Sequence, residues 1–428
     1  MKKIIQNILA KLAHAIILKQ KPYVVAITGS VGKTSTKEAI FAVLDRQFEV
    51  RQSQENYNNE FGVPLTIIGA KSAGKSILGW LGVICQACLL ACFKTSKYPQ
   101  VLVLEMGADK PGDIEYLTNI VQPLVSVVTA VAPVHVEYFK SIENITKEKS
   151  VLVKKVNPAG MTILNADDEL VLMMNRLSSA QVKLFGFSSK ADVRAENLSI
   201  NYDFSDESKA LGISFKLEVE GKSMPAFLNG SIGKHQIYAI LAAVSVGIFF
   251  KMNLVDITEA LNNYKPTSGR MRIIKGIKNS ILIDDTYNSS PRSCSAAILT
   301  LEEIPKYGRK FAILGDMLEL GKVSEKEHFK IGQQVASGDI EYLICVGERS
   351  RDIVRGAEDA DMSEDKIFHF DKSDEVGDFL KDRLRENDII LIKGSQGVRM
   401  EKVTRDLMAD PLRAEELLVR QSEKWLEK

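Results

Sequence analysis

One stretch constrains this chain more than any other: Val24-Val25-Ala26-Ile27-Thr28-Gly29-Ser30-Val31-Gly32-Lys33-Thr34-Ser35-Thr36. An apolar, β-rich run breaks at a glycine-rich turn. Lys-Thr follows, and then a helix-forming segment over 37–44. The order is strand, phosphate loop, helix. Backbone N–H groups of Gly29, Ser30, Val31 and Gly32, with the helix start through Ser35, suit a bound anion. Lys33 is placed to reach β/γ-phosphates and the Thr34 hydroxyl to hold Mg²⁺, which makes ATP the expected nucleotide. The spacing is shorter than the general G-x-x-x-x-G-K-[ST] pattern, because Ile27 stands where that pattern has its first glycine.

A chain of 428 residues holds two or three domains. The reading here is a basic amphipathic helix in 1–21, an ATP-binding domain over 22–265 and a second α/β domain over 266–428. A net charge of +1 gives no overall attraction to nucleic acid. The five cysteines, Cys85, Cys88, Cys92, Cys294 and Cys345, form no disulfide framework, and a reducing compartment fits. No cleavable signal peptide is evident at the start of the chain.

Residues 2–20 place isoleucine and leucine at helical spacing with lysines on the other face. Residues 76–93 contain one amide and no charge, between Lys75 and Lys94. Three readings stay open for that stretch: a buried helix, an interfacial membrane contact or a protein-protein surface. Cys85, Cys88 and Cys92 lack the further His or Cys that would complete a metal site.

Three apolar strands end in chemistry-bearing residues. The first runs into the phosphate loop. The second, 101–104, ends at Glu105, the expected place for a Mg²⁺ ligand in an α/β sheet. The third, 125–131, leads to His135, and a helix carrying Lys147 and Lys149 follows. A lone histidine after a strand is ordinarily structural; convergence on one sheet edge with Lys33 and Glu105 makes His135 a candidate site residue. Residues 65–68 read as a strand, 181–229 as short strands and turns, and 239–250 as a helix. Beyond residue 265 strands and helices alternate, which predicts a doubly wound, Rossmann-like domain with a mostly parallel sheet. Its strand-end loops are Asp284-Asp285-Thr286-Tyr287-Asn288, Gly315-Asp316-Met317-Leu318-Glu319-Leu320-Gly321 and Lys393-Gly394-Ser395-Gln396-Gly397. Residues 410–428 read as a terminal charged helix. From the residues alone the chain is an α/β enzyme for phosphoryl transfer from ATP to an unnamed acceptor.

The motifs TGSVGKTST, ENYNNEFGVP, LEMGADKPGDI, APVHVEYF, NADDE, GKHQIYAILAA, SGRM, DDTYNSSP, GDMLELG and KGSQG occur in this order. In that series the chain resembles the Mur ligase family over residues 22–405. The resemblance is greatest to the member that joins D-alanyl-D-alanine to a UDP-N-acetylmuramoyl-tripeptide. It implies a P-loop central Mur ligase domain and a C-terminal ligase domain. It also implies amide synthesis through an acyl phosphate, with a peptide-bearing cell-wall precursor and D-alanyl-D-alanine as partners. A cytoplasmic monomer is the expected form. By the same resemblance, Thr34 and Glu105 hold one Mg²⁺, and His135 a second. Lys149 occupies a position where a lysine can be carbamylated. His235 and Gln236 lie near adenine, and Arg270 and Asp285 reach ATP from the C-terminal domain.

Three departures qualify that expectation. About twenty residues precede the phosphate-loop strand, where the family carries a domain that grips UDP. The apolar stretch 76–93 stands where the family has a short connection; with 2–20 it motivates a peripheral membrane contact. The family's HN-x-x-N reads His235-Gln236-Ile237-Tyr238-Ala239, and Ala239 cannot hydrogen-bond a base. A ligase with a lipid-linked or polyglutamate-type acceptor, and a non-catalytic nucleotide-binding member, are the alternatives.

Overall fold

A computed structural model describes residues 2–54, 57–133, 136–201, 212–262, 264–305 and 308–426. The chain divides into two compact units. The first comprises 1–198, 215–227 and 235–264, the second 199–214, 228–234 and 265–428.

The first unit opens with α1 (Lys2–Gln20), β1 (Tyr23–Thr28), α2 (Lys33–Leu44), β2 (Val50–Gln52), α3 (Gly62–Ile68) and α4 (Ile77–Cys92). There follow β3 (Val101–Glu105), α5 (Asp113–Ile120), β4 (Val125–Val128), α6 (Val136–Phe139), α7 (Ile142–Lys154) and β5 (Met161–Asn165). The strand expected at 65–68 is instead the end of α3. Its Thr66 hydroxyl bonds Gly62 O at 2.9 Å, one turn back, and Gly69 closes the helix in the left-handed conformation at φ 78°. A short apolar run does not distinguish a buried strand from a buried helix; all of Gly62–Ile68 is buried.

β1 is central in its sheet because it is apolar throughout: Val24, Val25, Ala26 and Ile27 are all buried. Val24, Val25 and Ile27 each contribute about 1.5–3 kcal/mol by leaving water. The strand pairs in parallel with β3 on one side and β4 on the other. The sheet runs β2-β3-β1-β4-β5 and continues through β6 (Gln181–Gly186), β7 (Val193–Asn201), β8 (Gly212–Val219) and β9 (Lys222–Asn229). The chain builds to one side of β1 through β2 and β3, then crosses to place β4 on the other. Ligands of α/β sheets bind outside the strand ends at such a switch point. The helices α8 (Glu169–Leu172), α9 (Lys234–Phe249) and α10 (Leu254–Asn262) complete the helical set of this region.

The second unit carries β10 (Arg272–Lys275), β11 (Ile281–Asp285), α11 (Pro291–Glu303), β12 (Lys310–Gly315), α12 (Ser324–Ser337), β13 (Tyr342–Val346), α13 (Arg351–Asp359), β14 (Ile367–Phe370), α14 (Val376–Lys381), β15 (Ile389–Lys393) and α15 (Glu401–Leu407). Its sheet order is β10-β11-β15-β12-β13-β14, parallel except for β10. This is the doubly wound arrangement that alternating strands and helices predict. The terminal helix expected over 410–428 is replaced by short helical turns at Ala414–Leu417 and Glu423–Leu426. Arg420 interrupts them with a left-handed φ of 60°, held by bonds to Thr286 O and Glu401.

Candidate active site

The phosphate loop is tied to the strand end beside it. Ser30 N donates to Ala130 O at 2.7 Å, and Ser30 Oγ exchanges bonds with Ala132 O and Ala132 N at 3.0 and 2.9 Å. Thr129 Oγ1 donates to Val31 O at 2.6 Å. The loop after β4 therefore holds the loop after β1 from below. Gly29 is required by this closeness: a Cβ there would stand 1.9 Å from Thr129 Oγ1. Gly32 takes φ 82° immediately before α2, which leaves the first N–H groups of the helix without a capping side chain. Those groups and the positive end of the helix dipole face the loop, the arrangement that binds phosphate.

Lys33 Nζ bonds Gly29 O at 2.9 Å, folding its cation back over the loop. Thr34 Oγ1 donates to Glu105 Oε2 at 3.0 Å. Asn58 Nδ2 donates to the other oxygen, Glu105 Oε1, at 3.1 Å. Glu105 is 3% exposed, and its own N–H donates to Ser53 Oγ at 3.3 Å. The donor set at this point is hard oxygen: one hydroxyl and one carboxylate. That fits Mg²⁺, which takes one or two protein oxygens and completes its shell with phosphate and water. It fits a softer, all-protein metal site poorly, and among the described residues no group of three His, Cys, Asp or Glu gathers to form one. His135, the other expected ligand, lies outside the described residues.

Lys149 is buried on α7. Burial and the nearby Lys33 ammonium push its pKa down to about 7, while Glu148 and Asp109 act in the opposite direction. Glu148 is occupied in orienting α5: its two oxygens accept from Gly112 N at 2.8 Å and Ile114 N at 2.7 Å. A neutral amine beside a cationic phosphate site is a nucleophile toward carbon dioxide, and carbamylation converts it to an anion.

His235 is exposed at the start of α9, and Gln236 is buried with its Nε2 3.4 Å from His235 Nε2. Ala239 is buried and apolar. Next to them Tyr238 meets Phe187 edge to face at 4.9 Å. This aromatic pair is not legible in the sequence, because Phe187 directly follows β6 and Tyr238 lies on α9, distant in sequence. Thr129 and Ser53 were equally silent, since a lone threonine or serine after a strand carries no spacing signal.

The second unit gathers its own strand ends. Lys393, at the end of β15, donates to Asp285 Oδ2 at 2.6 Å and to Asn288 O at 3.0 Å. Ser395 links all three predicted loops: its Oγ donates to Ser289 O and accepts from Leu318 N, and its N–H donates to Asp316 O. Arg270 lies over the Tyr287 ring at 4.2 Å. Asp284, fully buried, has its pKa raised to about 6 by burial, against bonds from Thr286, Thr404 and Gly269 N.

Comparison with known proteins settles the kinship. The Mur ligase middle domain matches residues 27–78 and 86–247, and the Mur ligase glutamate ligase domain matches 269–396. This chain belongs to the Mur ligase family. The UDP-N-acetylmuramoyl-tripeptide–D-alanyl-D-alanine ligase of Bacillus subtilis is 28% identical to this Mur ligase over 405 residues, 94% of the chain and 80% of that relative. The enzyme of the same name from Buchnera aphidicola is 31% identical over 94% and 80%. A crystal structure of MurF ligase from Thermotoga maritima in complex with ADP superposes with TM-score 0.76 at 26% identity, covering 94% of this chain and 83% of that one. The middle-domain match breaks at 79–85, inside α4, and begins after α1.

Proposed function

We infer that this Mur ligase joins D-alanyl-D-alanine to a UDP-N-acetylmuramoyl-tripeptide at the expense of ATP: its relatives' names state those two substrates for them, and the MurF structure from Thermotoga maritima holds ADP. The observation that carries the reading is the phosphate loop braced on Thr129, with Thr34 and Glu105 oxygens 3.0 Å apart beside it. A tripeptide carboxylate oxygen attacks the γ-phosphorus of ATP; the bond to the bridging oxygen breaks and ADP leaves. The amine of D-alanyl-D-alanine then attacks the acyl carbon, inorganic phosphate leaves, and the nitrogen gives up a proton.

Each residue has a part in this. The loop N–H groups and Lys33 spread the charge of the transferring phosphoryl group. Thr34 and Glu105 would hold Mg²⁺, which supplies charge neutralisation between the β- and γ-phosphates. Asn58 keeps the Glu105 carboxylate turned toward Thr34. Lys149 acts as a carbamate, a carboxylate-like group beside the phosphate site; its burial next to Lys33 supports that form, since an ammonium there is electrostatically disfavoured. By the family resemblance, His135 would be a ligand to a second Mg²⁺. By the same resemblance, His235 and Gln236 are the candidates for contact with adenine, and Arg270 and Asp285 are candidate ATP contacts.

Phosphate release by purified protein tests the reading. Turnover that needs ATP, UDP-N-acetylmuramoyl-tripeptide and D-alanyl-D-alanine together is the expected result. Turnover only with another peptide acceptor would move the enzyme to a different branch of the family, and no turnover with any peptide would make it a non-catalytic member.

A further inference from the structure

α4 is an uncharged helix on the surface of the first unit. Of its sixteen residues only Val83 and Ala87 are buried. These two, one turn apart, seat the helix on α1, which packs against it through Leu9, Ala13 and Ile16. The outward stripe carries Leu78 at 80% exposed, Leu81 at 53% and Leu89 at 61%, with Phe93 at 68% just beyond the helix end. Cys85, Cys88 and Cys92 share this exposure. Single exposed leucines need no explanation; a continuous stripe of this kind does.

The helix is held in place and not frayed. Ser76 Oγ accepts from Gly79 N at 3.0 Å at its start. At its end Gln20 from α1 donates to Leu90 O and Phe93 O at 2.5 and 2.7 Å and accepts from Thr95 N. The orphan carbonyls of the last turn are thus satisfied by a neighbouring helix, and the apolar face is presented on a fixed frame.

The segments that build that face carry charge of one sign. Segments 1–21 and 61–104 hold nine lysines and no acidic residue, in a chain whose net charge is +1. Lys71 and Lys75 are exposed before α4, Lys94 and Lys97 after it, and Lys11 and Lys19 on α1. The family match begins after α1 and breaks across 79–85, while Leu78, Leu89, Phe93 and the lysines flanking α4 fall within it.

We propose that α4 and α1 form a docking face for an anionic lipid bilayer, lying in the interface with the apolar stripe of α4 inserted and the lysines on headgroups. Uncharged leucine and phenylalanine ringed by lysine is the chemistry of such a face. A helix of sixteen residues spans about 24 Å, short of the hydrocarbon thickness of about 30 Å. Among the described residues no helix is long and apolar enough to cross a membrane. A second copy of the chain is disfavoured as occupant, since a two-fold contact would set lysine rim against lysine rim.

Co-sedimentation of the full chain with vesicles tests this without reference to catalysis. The protein pellets with phosphatidylcholine vesicles containing phosphatidylglycerol, pellets much less with phosphatidylcholine alone, and is released by salt. Leu78→Glu with Leu81→Glu lowers binding at least about tenfold. Lys75→Gln and Lys94→Gln each lower it about fivefold. Both sets sit outside the phosphate site, so thermal midpoint and vesicle-free phosphate release stay at wild-type values and show the fold intact. Equal binding by the leucine double variant, or no binding to either vesicle, overturns the proposal. So does a vesicle-indifferent dimer that the leucine variant dissociates. A failed ligase assay would leave this result standing, and the reverse holds too.

Discussion

Two buried lysines divide the labour of this molecule. Lys393, in the second unit, is 2% exposed and donates to Asp285 at 2.6 Å. Its charge is cancelled inside the fold. Lys149, in the first unit, is 4% exposed, and its burial, reinforced by the field of another cation, Lys33, drives its pKa down. Lys393 ends a strand and Lys149 lies in the helix α7, yet one is a finished ion pair and the other a site whose charge balance is completed by chemistry. A lysine neutralised by its own fold holds structure together. A lysine left beside a second cation is poised for a ligand or a modification.

The largest effect expected from this contrast is on stability, at Lys393. Lys393→Ala leaves the Asp285 carboxylate buried without its cation and should cost about 3–5 kcal/mol in urea unfolding. Replacing both partners, Lys393→Met with Asp285→Leu, should recover most of that loss, because an apolar pair of similar volume removes the stranded charge. If the double variant is as unstable as the single one, the pair is not the closed unit described here. Lys33→Ala should behave in the opposite way. Phosphate release should fall by about 10²–10³-fold or more, as for loss of a donor to a developing anion. The urea midpoint should hardly move, since Lys33 bonds a backbone carbonyl at its own loop.

How far the sequence carried this picture depends on where each signal resides. The phosphate loop, Glu105 and the α/β architecture were legible because spacing and strand-end position encode them locally. Helix α1 was legible from its periodicity over Lys2–Gln20. The end of α3, 65–68, reads as a strand, since a fully buried segment in which Thr66 is the one polar residue has no outward face to betray its period. The bracing of the loop by Thr129 and the orientation of Glu105 by Asn58 depend on contacts about 100 and 50 residues apart in sequence, which no local pattern reports. For 76–93 the sequence showed a helix without saying what it packs on, and the burial of Val83 and Ala87 alone within α4 separates surface from core. The Lys393–Asp285 pair was visible as two strand-end loops but not as a bond.

The smallest effect, taken per pH unit, is a slope in stability, and it bears most directly on the contrast between the two lysines. Lys149 has a folded-state pKa of about 7 against an ordinary value of 10.5. Between those values the unfolded chain binds a proton at this residue and the folded chain does not. The stability contribution of Lys149 therefore rises with pH across that window, by at most about 1.4 kcal/mol per pH unit, and is flat below it. Lys149→Met should abolish this slope while leaving the rest of the stability profile unchanged. Lys33→Ala should displace the onset of the slope to higher pH, because it removes the second cause of the depression. The comparison fails if unfolding of the wild type and of the Lys149→Met variant runs parallel from pH 7 upward. Added bicarbonate sharpens it: carbamate formed on the neutral amine should further stabilise wild type and not Lys149→Met, and mass spectrometry under mild conditions should place the carbon dioxide adduct on α7.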